Sequence, residues 1–124
     1  MRRVRAALVP LLAVAVLSGC GGSEETAAER AVDEVAAGEA VLLDVRSDRE
    51  FAAGHAARVQ HLDHADVLDG ARPRLDKDET IYVYCRSGRR AEEVVTILER
   101  EGYTDVESIG GLKDWQAAGG PVAS

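Results

Sequence analysis

Two short runs constrain this chain more than anything else in it: VLLDV at 41–45 and TIYVYC at 80–85. Each is nearly all apolar and short, and the second is rich in β-branched and aromatic residues. Runs of this kind predict strands buried on both faces. Around them the apolar residues recur at helical spacing. TAAERAVDEVAA (26–37) puts Ala28, Val32 and Val35 or Ala36 on one side and stops at Gly38. The segment 89–101 turns Ala91, Val94, Val95 and Leu98 inward and stops at Gly102. Ser47 and Asp48 offer an N-cap for the short helix DREFAA, which ends at Gly54. Weaker signals place a strand at 58–62, a helix at 65–75 bent near Gly70 and Pro73, and a last strand at 106–109. After Gly110-Gly111 comes a short helix, LKDWQAA, whose Trp115 is a core residue. Buried strands alternating with amphipathic helices predict an α/β fold with a mainly parallel sheet covered on both faces. The 124 residues suffice for one such domain.

The first twenty residues stand outside that pattern. Arg2, Arg3 and Arg5 precede an apolar run from Ala6 to Leu17, broken only by Pro10. A bilayer-spanning helix needs roughly 20 apolar residues, so this run fits an export signal rather than a membrane span. It ends in Leu17-Ser18-Gly19-Cys20, which resembles a bacterial lipobox, and a polar stretch follows. The expectation is a signal peptide at 1–19, a lipidated Cys20 with a flexible tether at 20–25, and a folded domain at 26–122. The mature chain would then be exported and lipid-anchored on the extracytoplasmic face of a bacterial membrane. Loss of residues 1–19 removes three arginines, leaving 12 basic against 22 acidic residues and a formal charge of −10. So acidic a body excludes nucleic-acid binding. It also leaves Cys85 without a disulfide partner in the chain, which flags a reactive thiol.

Cys85 heads the segment CRSGRR (85–90), between a buried strand and a helix. In parallel sheets the carboxyl ends of the strands, where loops feed helix N-termini, are where ligands bind. Gly88 permits a tight turn and close backbone approach. The helix start supplies unpaired N–H groups, and Arg86, Arg89 and Arg90 add positive charge. A thiol held there is expected to favour its thiolate, making a nucleophilic sulfur in an anion cradle formed with Ser87.

Four stretches, LLDVR (42–46), EFAAGH (50–55), YVYCRSGRRA (82–91) and GGLKDWQAAGGPV (110–122), resemble a single rhodanese domain. The resemblance covers residues 26–122. It implies a three-layer α/β/α fold with a mainly parallel five-stranded sheet, and sulfurtransferase activity without a cofactor. Cys85 would take the outer sulfur of thiosulfate or a similar anionic donor as a persulfide. A thiol, cyanide or protein acceptor would then remove it. The resemblance gives Arg86 the donor's charge, makes Arg90 the brace at the loop's far end, and leaves Arg89 facing solvent. One departure stands out. After Gly54-His55 the family commonly continues with an Ile-Pro-Gly-Ala-like turn, whereas this chain reads AARVQHLDH.

The same residues admit other chemistry. Protein tyrosine phosphatases place five residues between cysteine and arginine, which here would require an arginine at 91; Ala91 stands there, and Arg90 leaves four. Phosphatase or arsenate reductase chemistry is therefore the lesser alternative. A membrane-anchored persulfide carrier or redox sensor, without free turnover, keeps the same cysteine and is the serious rival. Asp44, Arg46 and Glu50 are expected to support the loop from behind. The irregular spacing of His55, His61 and His64 predicts hydrogen-bonded histidines and no metal site.

Overall fold

The two apolar runs become neighbouring strands of one sheet. In the computed structural model, which describes residues 24–124, the chain order is α1 (Ala27–Ala36), β1 (Val41–Asp44), α2 (Asp48–Ala53), β2 (His55–Ala56), β3 (Gln60–His61), α3 (His64–Leu68), β4 (Ile81–Cys85), α4 (Arg89–Arg100), β5 (Val106–Gly111), α5 (Leu112–Ala117) and β6 (Val122–Ala123). β1 and β4 pair in parallel, Val41 opposite Ile81 and Asp44 opposite Tyr84. The sheet runs β3-β1-β4-β5, all parallel.

Alternation along the strands sorts the core into two halves. Leu43, Ile81, Val83 and Cys85 point to one face, where Val67 of α3 and Ala91, Val94 and Leu98 of α4 cover them. Leu42, Tyr82 and Tyr84 point to the other and meet Ala28 and Ala31 of α1 and Trp115 of α5. Both faces are covered, which is why the runs carry almost no polar residue. Thr26 and Ser47 each close a capping box, with Glu29 and Glu50 respectively, at the starts of α1 and α2.

The sheet has four strands where five were expected. The remaining extended pieces, β2 and β6, pair with each other as a separate antiparallel ribbon, His55 opposite Ala123. They are two residues each, and β6 is exposed on both. β3 is as short but lies along β1, whereas β2 meets the returning end of the chain instead of a sheet edge. The expected helix at 65–75 also shrinks. It stops at Leu68, Gly70 turns the chain with φ 105, and the Arg72 side chain donates to the carbonyls of Val67 and Ala71.

The departure at AARV has a structural signature. Counting from His55, Arg58 takes the place of the turn's glycine and holds φ 57, the left-handed region that side chains seldom adopt. The expected cleavage site and Cys20 lie outside the described residues. No helix among the described residues is long and apolar enough to cross a membrane.

Candidate active site

Parallel strands deliver their carboxyl ends, and with them the connections into α2, α3, α4 and α5, to one edge. β4 ends at Cys85, which is 1% exposed and free. The backbone then turns through Arg86, Ser87 and Gly88 into α4. Gly88 sits at the N-cap with φ 103, and its N–H donates to the Cys85 sulfur over 2.9 Å. A side chain would resist that backbone angle, so glycine is what lets this N–H face the sulfur. An N–H aimed at this sulfur favours negative charge on it.

The end of β5 presses against this loop. A register shift after Val83 pairs Tyr84 with Gly110 and Cys85 with Gly111. A Cβ on Gly111 would lie 2.1 Å from the Arg86 carbonyl oxygen, and one on Gly88 would lie 3.4 Å from the Gly110 Cα. Asp114 accepts from the Gly111 N–H at 2.7 Å and so clamps the junction. The pair Gly110-Gly111 is thus the surface on which the Cys85 loop rests.

Arg90 closes the loop's far end. Its guanidinium donates to both carboxylate oxygens of Glu50, at 2.8 and 3.0 Å. These bonds, with smaller help from Ser47, hold the Glu50 carboxyl down at about 2 from an ordinary 4.5. The same carboxylate raises the Arg90 pKa, to which the Cys85 sulfur adds a lesser share. Because the folded-state value is depressed, the pair's contribution to stability is complete above about pH 4.5 and is lost as pH falls through about 2. Glu50→Gln is expected to lose on the order of 1 kcal/mol near neutral pH. Urea midpoints of the two proteins should converge at about pH 2; a constant gap across that range would remove the ion pair as the cause.

Asp44 and Arg46 are bonded to each other, not to the loop. Both are buried, and the Arg46 guanidinium grips Asp44 through Nε at 3.1 Å and through an Nη at 2.8 Å. Burial opposes the charge of Arg46, but the bonds to Asp44 outweigh it and leave its pKa raised. The Tyr84 hydroxyl donates to Asp44 at 2.6 Å and accepts from the Ala56 N–H at 3.0 Å. Burial and the Asp44 bond both push the Tyr84 phenol upward, so it stays protonated. Arg46 also donates to the Gly54 carbonyl at 2.6 Å. This network ties the end of β1 to the α2–β2 segment. Glu50 is bonded to the loop; Asp44 is not.

The comparisons with known proteins fall on this geometry. A family model described as a rhodanese-like domain matches residues 27–118. The chain belongs to this family. The thiosulfate sulfurtransferase GlpE of Pseudomonas putida is 37% identical over 79 residues, which are 63% of this chain and 71% of that protein. GlpE of Pseudomonas fluorescens is 33% identical over 78 residues, 62% of this chain and 71% of its own. Among solved structures, the rhodanese-like domain of the Anabaena Alr3790 protein aligns with a TM-score of 0.69 at 28% identity, covering 82% of this chain and 80% of that one. This rhodanese-like domain is accordingly an enzyme of the sulfurtransferase class.

Around the rhodanese loop the structure gathers residues that sequence reasoning passed over. A mouth of about 530 Å3 is lined by Arg46, Glu50, Ala53, Arg86, Ser87, Leu112 and Lys113. Leu112 and Lys113 come from the start of α5, which the motif GGLKDW already held; only its tryptophan had a role assigned. Arg86, Ser87 and Arg89 are exposed. The histidines are placed in separate roles. His55 bonds the Phe51 carbonyl through Nδ1 at 2.9 Å, and both it and His61 stack on the Phe51 ring. His64 reaches Glu93 on α4.

Proposed function

We propose that this rhodanese-like domain moves a sulfane sulfur from thiosulfate, or a similar anionic donor, to a thiophilic acceptor through a persulfide on Cys85. The observation that carries the reading is the Gly88 N–H aimed at the Cys85 sulfur inside a four-residue span closed by Arg90. The Cys85 thiolate attacks the outer sulfur of thiosulfate. A new S–S bond forms, the donor's S–S bond breaks, and sulfite leaves with the electron pair. Cyanide or a thiolate then attacks the outer sulfur of the persulfide, and the Cys85 thiolate departs. The charge passes from the Cys85 Sγ to the outer sulfur and back again, and the Gly88 N–H faces the Sγ that must leave as thiolate. Relatives named thiosulfate sulfurtransferase, at 33 to 37% identity, support the donor.

Phosphatase chemistry fits less well. The Cys85-to-Arg90 span is one residue short for that cradle, and both Arg90 bonds found go to Glu50. The carrier reading differs from the enzyme only in kinetics.

For location, Leu17-Ser18-Gly19-Cys20 supports export and a lipid on Cys20. Thr26 and Glu29, where the described chain begins α1, share a pocket with Ser108, Ile109 and Asp114. Asp114 is bonded to Gly111 beside the loop. A lipid on Cys20 would hold the domain through residues 21–25, which lead into α1.

Intact-mass analysis after thiosulfate treatment tests the chemistry. The expected gain is one sulfur atom on Cys85, removed by cyanide with steady turnover. A stable persulfide without turnover would establish the carrier instead. No added sulfur, together with Cys85-dependent hydrolysis of a phosphate ester, would replace this reading by the phosphatase.

A further inference from the structure

Outside the Cys85 loop, one more exposed cation faces the mouth. A thiolate meeting the thiosulfate dianion brings three negative charges together, and the products, a persulfide anion and sulfite dianion, carry the same three. Cations must face the incoming group for that encounter to occur readily.

Most of the cations nearby are committed. Arg46 is 7% exposed and bound to Asp44 and the Gly54 carbonyl. Arg90 gives two bonds to Glu50, and that carboxylate, ionised down to about pH 2, offsets its charge. Arg89 stands on the surface of the first turn of α4 and does not line the mouth. Glu50 is the one carboxylate lining this mouth, and Arg90 answers it. Two lining cations remain without an ion pair among the described residues, Arg86 and Lys113.

Lys113 is held there by its backbone. Gly111 packs on the Arg86 carbonyl so closely that no Cβ fits, and Asp114 locks the Gly111 N–H. Trp115, fully buried, donates its indole N–H to the Pro121 carbonyl at 2.8 Å and pins the same helix. With Asp114 and Trp115 turned to these partners, Lys113 takes the exposed side of α5, at the mouth.

We infer that Lys113 is a donor-binding residue, the second of two cations, with Arg86, that receive the non-reacting anionic end of a doubly charged sulfane donor. This deepens the sulfurtransferase reading and rests on it. Its consequence is a preference for dianionic over singly charged donors. The gain begins in binding, because the sulfonate end is already charged when the donor arrives, and it grows as that end takes up the leaving electron pair.

The experiment compares Lys113→Gln and Lys113→Arg with the parent, using thiosulfate and the singly charged methanethiosulfonate, cyanide being the acceptor in both. Lys113 is exposed, so neither change should disturb folding. The expected result is a KM for thiosulfate raised about five- to tenfold in Lys113→Gln, with kcat lowered by a smaller factor. The methanethiosulfonate KM should rise no more than about twofold, and Lys113→Arg should restore both. A second readout works without turnover: the sulfate concentration that half-protects Cys85 from iodoacetamide should rise by a similar factor in Lys113→Gln. Equal effects on the two donors, or an unchanged thiosulfate KM with unchanged sulfate protection, would overturn the assignment. Absence of turnover in the parent would sink the sulfurtransferase reading alone, since sulfate protection still decides whether Lys113 binds a dianion.

Discussion

Cys85→Ala is expected to lower thiosulfate-to-cyanide transfer by at least about 10^3-fold. The reason is covalent. Transfer requires a sulfur that can accept and release a second sulfur, and Cys85 is the free cysteine among the described residues. The Gly88 N–H, Arg86 and Lys113 would still gather an anion at the mouth, but nothing would remain to attack it. Folding should be affected little, because alanine removes one atom from a packed cluster that keeps Val83, Ala91 and Val94 around it. Initial rates, with circular dichroism and a urea midpoint measured alongside, separate the two effects. A well-folded Cys85→Ala protein within about tenfold of the parent rate would mean that sulfur is moving by another route.

Asp44→Ala carries the largest expected cost in stability, about 3–5 kcal/mol. Asp44 is wholly buried, and its carboxylate answers both the Arg46 guanidinium and the Tyr84 hydroxyl. Alanine would strand a guanidinium that is 7% exposed and leave the Tyr84 hydroxyl donor without its partner. Only the Gly54 carbonyl would still answer Arg46, and a neutral acceptor does not balance a buried charge. For a domain of this size the melting temperature should fall by more than about 10 °C. The double variant Asp44→Ala with Arg46→Met should be less destabilised than Asp44→Ala alone, since it removes the stranded charge. If the single variant loses less than about 1 kcal/mol, Arg46 has found solvent and the network is not what holds the β1 end in place.

How much of this was legible beforehand follows from distance along the chain. The strands at 41–45 and 80–85, the capped starts at Thr26 and Ser47 and the stop at Gly102 all answer to neighbours within a few residues. Composition and spacing therefore reveal them. The sheet's width did not follow in the same way. Whether His55–Ala56 joins the main sheet or pairs with Val122–Ala123 depends on which edge the chain's end reaches, and local pattern is silent on that. The left-handed Arg58 is a further instance: nothing in AARV marks it as the residue that turns.

The same division runs through the candidate site. Sequence alone determined that a lone cysteine stands between a buried strand and an arginine-rich helix start, and that Arg90 follows it after four residues. Those statements depend only on order and count. Tertiary structure decided which charges meet. Glu50 and Arg90 are 40 residues apart, and with 22 carboxylates in the chain no rule of spacing selects that pair. It likewise decided that Asp44 answers Arg46 rather than the loop, that Gly110-Gly111 forms the floor under Arg86, and that Lys113 is left free beside it. The physical reason is that a strand or a turn is stabilised by contacts within a few residues. A charge pair or a close backbone approach exists only once packing has brought distant segments together.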